Sequence, residues 1–241
     1  MTRFEKSVFI LAGGMGTRLQ GITGGAPKVL CEFLGRPFLE FLLDQVAELG
    51  AKEVTLCTGY KAEEVSKRMG NSYRGMKLNY SVENEPLGTG GALGLAAKFC
   101  NENFAWIMNG DSYFAANFSK FNDWFDQKEN ADVGIALAQV DDVARFGSVG
   151  IDAHEKVLQF EEKGANTGKG WINAGIYIIK RELLLSIPQN HPVSIEKELF
   201  PAWLTKNFFA SPTQGAFIDI GTPESYRDTE RFLGALPLEP R

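Results

Sequence analysis

The chain has 241 residues, 44% of them hydrophobic, and a formal net charge of −5. That length and apolar content suffice for one large α/β core, and two fully separate domains are not expected. The acidic balance excludes a nucleic-acid-binding face, because neutralising a phosphate backbone needs a basic surface, while small anions can still be held by local cations.

The first expected element is a buried strand at residues 8–11, followed by Gly13-Gly14-Met15-Gly16-Thr17-Arg18. Glycines there let backbone N–H groups approach a ligand that Cβ atoms would exclude, and successive amides form an anion nest. Glycine-rich turns after strands are common for steric reasons alone. Arg18 and Lys28 turn the reading toward a polyphosphate, since a purely structural turn has no use for two flanking cations. Two better-known phosphate loops do not fit. Lys28 follows Pro27 and precedes Val29, unlike the Gly-Lys-Ser/Thr of a Walker loop. The second strand, 54–58, ends in Gly59-Tyr60, where a dinucleotide-binding fold would carry an acidic residue.

Arg36-Pro37-Phe38-Leu39 is expected to open a helix with proline in its first turn. Its apolar face would be Phe38, Phe41, Leu42, Val46 and Leu49, with Gly50 as the stop. A strand at 54–58, a short helix at 62–69 and a strand at 76–82 follow. Residues 83–92, Glu-Asn-Glu-Pro-Leu-Gly-Thr-Gly-Gly-Ala, read as a second glycine-rich loop running into a helix that ends near Cys100. Residues 104–108 form another buried strand, closed by Asn109-Gly110-Asp111. Phe118, Phe121, Trp124 and Phe125 stand at helical spacing and belong to the core. The alternation predicts a mostly parallel sheet with helices on both faces, in which ligands bind beyond the carboxyl ends of the strands. Both glycine loops and Asp111 follow strands, so they collect on one rim.

The second half is richer in strands, expected at 133–140, 149–151, 157–161 and 171–179. Helices are expected near 194–205, capped by Ser194, and at 223–233, with a loose tail at 237–241. Cys31, Cys57 and Cys100 lie on or beside apolar segments without Cys-x-x-Cys spacing, and read as buried free thiols. His154 and His191 sit in polar, turn-like segments and read as surface residues. Ser112 has no histidine partner and is not a nucleophile. No secretory segment and no membrane-length apolar run are visible, so a soluble, cytoplasmic protein is expected.

Gly13-Gly14-Met15-Gly16-Thr17-Arg18-Leu19 with Pro27-Lys28, then Asn109-Gly110-Asp111, Phe160-Glu161-Glu162-Lys163, Asn173-Ala174-Gly175-Ile176-Tyr177 and Asp219-Ile220-Gly221-Thr222-Pro223 together resemble the sugar-1-phosphate nucleotidyltransferases. The 85–92 segment and Ser194-Ile195-Glu196-Lys197-Glu198-Leu199-Phe200-Pro201 look most like guanylyltransferases acting on D-glycero-α-D-manno-heptose 1-phosphate, with mannose-1-phosphate guanylyltransferases close behind. The resemblance implies a single Rossmann-like α/β domain with a mixed, mostly parallel sheet, and a chain too short for the β-helix of longer members. Residues 7–130 would form the nucleotide-binding half and 131–235 the sugar-phosphate half.

The implied reaction is attack of a sugar 1-phosphate oxygen on the α-phosphorus of a nucleoside triphosphate, giving a nucleotide sugar and pyrophosphate. Positioning and cations should supply most of the catalysis. The resemblance places Leu11, Gly13, Gly14, Gly16, Thr17, Arg18, Lys28, Glu83, Pro86, Gly88 and Thr89 on the nucleotide. Arg18 would stabilise the departing pyrophosphate, with Lys28 near the reacting phosphates. Lys163 would grip the sugar phosphate, with Glu162, Asn173 and the Gly147 amide on sugar hydroxyls. Asp111 and Asp219 would hold Mg²⁺ against the phosphates, as suits a hard cation that keeps non-protein oxygens. Either aspartate could instead simply end a strand, but buried neighbours on both sides of Asp219 favour a partner for its charge.

The base is read from Glu83, or from Glu85 in its place: a carboxylate accepts from guanine N1–H and N2–H₂ together, whereas uracil and thymine present one N–H between two carbonyls. A uridylyl or thymidylyl enzyme acting on a hexose or N-acetylmuramate 1-phosphate is the rival within the class. A non-catalytic regulatory homologue is disfavoured because Arg18, Lys28, Asp111 and Lys163 are all present. The sequence leaves a homo-oligomer open and predicts neither nucleic-acid nor membrane partners.

Overall fold

In the first strand, β1 (Ser7–Leu11), Val8 and Ile10 are buried on one face and Phe9 on the other. A strand covered on both faces has no polar side, which is why this segment reads as an unbroken apolar run. The computed structural model describes residues 4–16, 19–161, 163–189 and 191–236. After β1 come the short helix α1 (Gln20–Thr23), a hairpin of β2 (Glu32–Phe33) and β3 (Arg36–Pro37), and α2 (Phe38–Glu48). Next follow β4 (Glu53–Thr58), α3 (Ala62–Met69), β5 (Ser72–Tyr73), β6 (Met76–Val82), α4 (Gly88–Ala96) and β7 (Phe104–Asn109). The chain continues through β8 (Ser112–Ala116), α5 (Phe118–Asp126), β9 (Val133–Val140), β10 (Ser148–Ile151), β11 (Val157–Glu161) and β12 (Gly170–Lys180). It ends with α6 (Arg181–Leu185), a π-helical turn (Ile195–Leu199), α7 (Phe200–Trp203), β13 (Phe208–Pro212), β14 (Gly215–Asp219) and α8 (Pro223–Gly234).

Eight strands form the central sheet in the order β13-β9-β12-β7-β1-β4-β6-β5. The block β7-β1-β4-β6 is parallel throughout, and β13 runs parallel to β9. Strand β12 is antiparallel to both neighbours, and β5 to β6. The sheet is therefore mixed and mostly parallel, with strands from both halves of the chain in one layer. One face packs under α2, α3, α5 and α8 around Trp106, Phe38 and Phe121; the other packs under α4, α6 and α7 around Tyr177, Leu93 and Phe200. Among the described residues no helix is long and apolar enough to cross a membrane.

Two expectations about local structure are corrected. Arg36-Pro37 does not open α2: it pairs with Glu32-Phe33, through a turn with Leu34 and Gly35 at positive φ, and Pro37 is the residue before the helix. Residues 88–91 are not loop but the first turn of α4, because Gly90 and Gly91 lie so close to Val193 and His191 that side chains there would collide. Strands β8, β13 and β14 were not anticipated. Strand β8 starts at the residue after Asp111 and leaves the central sheet to pair with β14, so the Asn109-Gly110-Asp111 cluster reads as the end of one strand and hides the start of the next.

The carboxyl ends of β1, β4, β6 and β7 lie side by side, and the Gly110 amide donates to the Leu11 carbonyl at 2.9 Å. A Cβ on Gly110 would collide with that carbonyl, whereas one on Gly14 meets nothing within 4 Å. Gly110→Ala is expected to destabilise the fold by about 2 kcal/mol or more, and Gly14→Ala to change it by less than about 0.5 kcal/mol. Urea unfolding of the two variants checks this, and equal midpoints would contradict the contact.

Candidate active site

A cleft of about 900 Å³ runs along this rim. At its centre is the loop after β1. The Ala12 amide donates to the Cys57 carbonyl at 2.7 Å and the Gly13 carbonyl accepts from Tyr60, which anchors the loop at its start. The amides of Gly13, Gly14, Met15 and Gly16 donate to no backbone acceptor among the described residues, and Gly16 has φ +57. Such a run of free amides can receive an anion. Thr17 and Arg18, expected to complete the loop, lie outside the described residues.

Lys28 reaches the same place from its 3₁₀ turn, with Nζ 2.9 Å from Asp111 Oδ2. The second expected metal carboxylate, Asp219, ends β14 opposite Ser112, the residue after Asp111. The Ile220 amide donates to the Asp111 carbonyl at 2.8 Å, which ties the two strand ends together. Asp219 Oδ1 accepts from the Gly221 amide at 2.8 Å, leaving Oδ2 for another partner. A Cβ on Gly221 would sit 2.8 Å from Asp219 Oδ1 and 3.8 Å from Lys28 Nζ, so Lys28, Asp111 and Asp219 converge. No group of three or more His, Cys, Asp or Glu side chains able to hold a metal occurs among the described residues, so a cation here would take part of its shell from other oxygens.

At one end of the cleft Glu83 folds over the backbone of Gly13 and Gly59, where side chains would strike its carboxylate. Its Oε2 accepts from the Leu87 amide at 3.2 Å. Burial raises its pKa above the usual carboxylate value, with the Leu87 hydrogen bond opposing the shift. Glu85 and Pro86 line the cleft and are exposed. Leu11, Gly88 and Thr89 line it too, but Thr89 Oγ1 accepts from the Ile195 amide at 3.0 Å, so its hydroxyl acts on the segment packed over α4. Buried Cys57, whose thiol burial pushes up to about 12, stays protonated and inert.

The opposite end belongs to the second half of the chain. Asn173 Nδ2 donates to Tyr177 Oη and to Glu196 Oε1, both at 2.9 Å, and Asn173 Oδ1 accepts from the Gly175 amide at 2.8 Å. A register shift in β12 at this point, with Gly175 at φ +75, turns Asn173 toward the rim. Lys163 is exposed and lines the cleft without an ion-pair partner among the described residues. Gly147 also lines it, at φ +78, but its amide donates to the Val143 carbonyl at 3.0 Å, so that amide is not free for a sugar hydroxyl. Glu162 lies outside the described residues.

Two cationic residues of the cleft were not assigned a role from the sequence, Arg145 and Lys197. Arg145 precedes Phe146-Gly147, of which only the Gly147 amide was singled out. Lys197 stands in the Ser194 to Pro201 motif, where only the cap was legible; the Lys197 amide does donate to Ser194 Oγ at 3.2 Å, but nothing in the sequence signals a π-helical turn.

The model of the family described as nucleotidyl transferase matches residues 7–235. The chain belongs to that family. It is 36% identical over 217 residues to the D-glycero-alpha-D-manno-heptose 1-phosphate guanylyltransferase of Campylobacter jejuni, covering 90% of this chain and 95% of that one. It is 35% identical to the mannose-1-phosphate guanylyltransferase of Mycobacterium tuberculosis, of which it spans 64%. The crystal structure of HddC from Yersinia pseudotuberculosis complexed with GMP-PN superposes with a TM-score of 0.84 at 34% identity, covering 95% of this chain and 99% of that one.

Ile195 is buried, so its amide depends on Thr89. Thr89→Val keeps the shape and removes the acceptor, and is expected to cost roughly 1–2 kcal/mol in urea unfolding. An unchanged midpoint would show that the amide has another acceptor.

Proposed function

We propose that the protein joins GTP to a sugar 1-phosphate, D-glycero-α-D-manno-heptose 1-phosphate in the first instance, releasing pyrophosphate. The observation that carries this reading is the convergence of a loop of free amides, Lys28 and two carboxylates on one rim, with Glu83 at one end of the cleft. The guanylyltransferases among its relatives support the choice of base. Mannose 1-phosphate is the second reading, supported by the mycobacterial relative.

In the reaction a sugar-phosphate oxygen forms a bond to the α-phosphorus, and the bond from that phosphorus to the β-phosphate oxygen breaks. Both substrates are anions, so the protein must hold them together against repulsion. The amides of Gly13 to Gly16 receive the triphosphate, and Lys28 balances charge at the reacting phosphates. Arg18 takes the departing pyrophosphate. Residues 7–130 act as the nucleotide half and residues 131–235 as the sugar-phosphate half, where Lys163 and Asn173 line the cleft and the family resemblance assigns Glu162 to the sugar hydroxyls. Two adjacent carboxylates, only one of them paired with an ammonium, leave a net negative charge that fits a hard divalent cation, and we assign Asp111 and Asp219 to Mg²⁺. When bound, that ion supplies charge neutralisation at the phosphates. Three free, buried thiols and anionic substrates suit the cytoplasm.

A pyrophosphate-release screen crossing GTP, UTP, dTTP and ATP with several sugar 1-phosphates tests the reading. GTP should be preferred in kcat/KM by up to the order of 10⁴-fold, because a wrong base leaves the half-buried Glu83 carboxylate without its base donors. Equal use of UTP would overturn the guanylyl assignment.

Glu83→Gln is expected to erode that preference, since its amide can turn NH₂ toward pyrimidine carbonyls. The sign of the pH effect follows from the raised pKa: below it Glu83 is protonated and presents an O–H to guanine N1–H. The KM for GTP should rise as pH falls through that value and recover above it. Glu83→Gln should lose that component, and a pH profile identical to the unmodified enzyme would remove Glu83 from the base site.

Asp111→Asn replaces an anionic ligand with a neutral isostere at a strand end. Turnover at saturating Mg²⁺ should fall by roughly 10²-fold or more with the unfolding midpoint nearly unchanged. Normal turnover would remove Asp111 from the metal site.

A further inference from the structure

Arg145 lines the same cleft yet forms no ion pair among the described residues. Its surroundings fix where its charge lies. The Gly164 amide donates to the Ala144 carbonyl at 2.9 Å, so the turns carrying Arg145 and Lys163 are hydrogen-bonded to each other next to those two residues. On its other side Arg145 Nη2 donates to Thr222 Oγ1 at 3.4 Å, one residue beyond Gly221, which lies against Asp219 and Lys28. Its guanidinium also stacks over Phe146, 5.4 Å from the ring centroid, and Phe146 packs edge-on against Phe217. The side chain thus leaves a turn bonded to that of Lys163 and ends at Thr222, beside the Asp219–Lys28 corner.

That is where an attacking phosphate would meet the triphosphate. A phosphate monoester is close to a dianion at neutral pH, and Lys163 alone offsets one charge. Lys28 is already paired with Asp111. A guanidinium adds what a second ammonium would not, a planar fork that fixes two phosphate oxygens at once and so sets the direction of the third. We infer that Arg145 is a second phosphate-binding residue for the sugar 1-phosphate, acting with Lys163 to orient the attacking oxygen. This rests on the reaction proposed above. The competing role is purely structural, since Glu224 and Asp228 share a small recess with Arg145 on its outer side and could pair with it in another rotamer.

The test is steady-state kinetics with GTP and heptose or mannose 1-phosphate on the unmodified enzyme, Arg145→Ala and Arg145→Lys, with thermal unfolding of each. Arg145→Ala should raise the sugar-phosphate KM on the order of tenfold, leave the GTP KM within about twofold, and flatten the rise of sugar-phosphate KM with salt. Arg145→Lys should restore the salt dependence but only part of the KM, because a point charge replaces a fork. An unchanged sugar-phosphate KM with a lowered melting temperature would overturn the assignment in favour of a structural pair with α8. A GTP KM that rises as much as the sugar-phosphate KM would also overturn it. If the unmodified enzyme makes no GDP-sugar at all, the guanylyl reading itself fails and takes this assignment with it; turnover by the unmodified enzyme separates the two failures.

Discussion

The site depends on two backbone hydrogen bonds. The Gly110 amide on the Leu11 carbonyl fixes the end of β7 against the end of β1, and the Ile220 amide on the Asp111 carbonyl fixes the end of β14 against both. Each bond joins backbone atoms that every residue but proline supplies, so the spacing of Gly13, Asp111 and Asp219 is set by the main chain more than by side-chain packing. The crowding at Gly110 follows directly: only a residue without Cβ lets β7 come that close before Asp111 turns out. Electrostatics are added on top of this frame. The two carboxylates are carried on segments that these bonds tie together, and Lys28 is paired with one of them.

A second frame lies at the end of the cleft formed by the second half of the chain. Tyr177 is fully buried in the central sheet, yet its hydroxyl accepts from Asn173, whose other bonds reach Glu196 and the Gly175 amide. Burial pushes the Tyr177 hydroxyl well above its ordinary pKa, so it stays a neutral fixed point in this network. The segment bearing Glu196 is in turn held to α4 through Thr89 and through the Gly90 and Gly91 amides on Val193. Helix α4 and Asn173 are therefore tied to one segment, 191–199, through Thr89, Val193 and Glu196.

The strands flanking the site were legible because burial on both faces leaves β1, β4 and β7 as apolar runs, and because the glycine loop and Asn109-Gly110-Asp111 stop them sharply. What stayed illegible depended on tertiary contact. Nothing local distinguishes a glycine needed for a flexible loop from one needed because Val193 packs against a helix, so 88–91 read as loop and is helix. Thr222 with Ser225 forms a capping box with Pro223 at the first helical position, so part of the Asp219 to Pro223 motif is accounted for by helix initiation. Arg145 carried no local signal: its meaning comes from Ala144 bonding Gly164 and from Thr222, far away in sequence.

The Lys28–Asp111 pair has a consequence for how the site handles charge. The lysine side chain is 15% exposed and the aspartate 47% exposed, so the pair sits at the surface of the cleft, where such bridges contribute only about 0–1 kcal/mol. In the reaction proposed above, either partner can therefore turn to a new counter-charge at little cost, Lys28 to a phosphate and Asp111 to a cation. A deeply buried pair would behave otherwise, since separating it leaves an uncompensated charge and costs several kcal/mol. Partial exposure at this corner, together with the rigid ladder beneath it, allows the charges to change partners while the backbone that aims them stays in place.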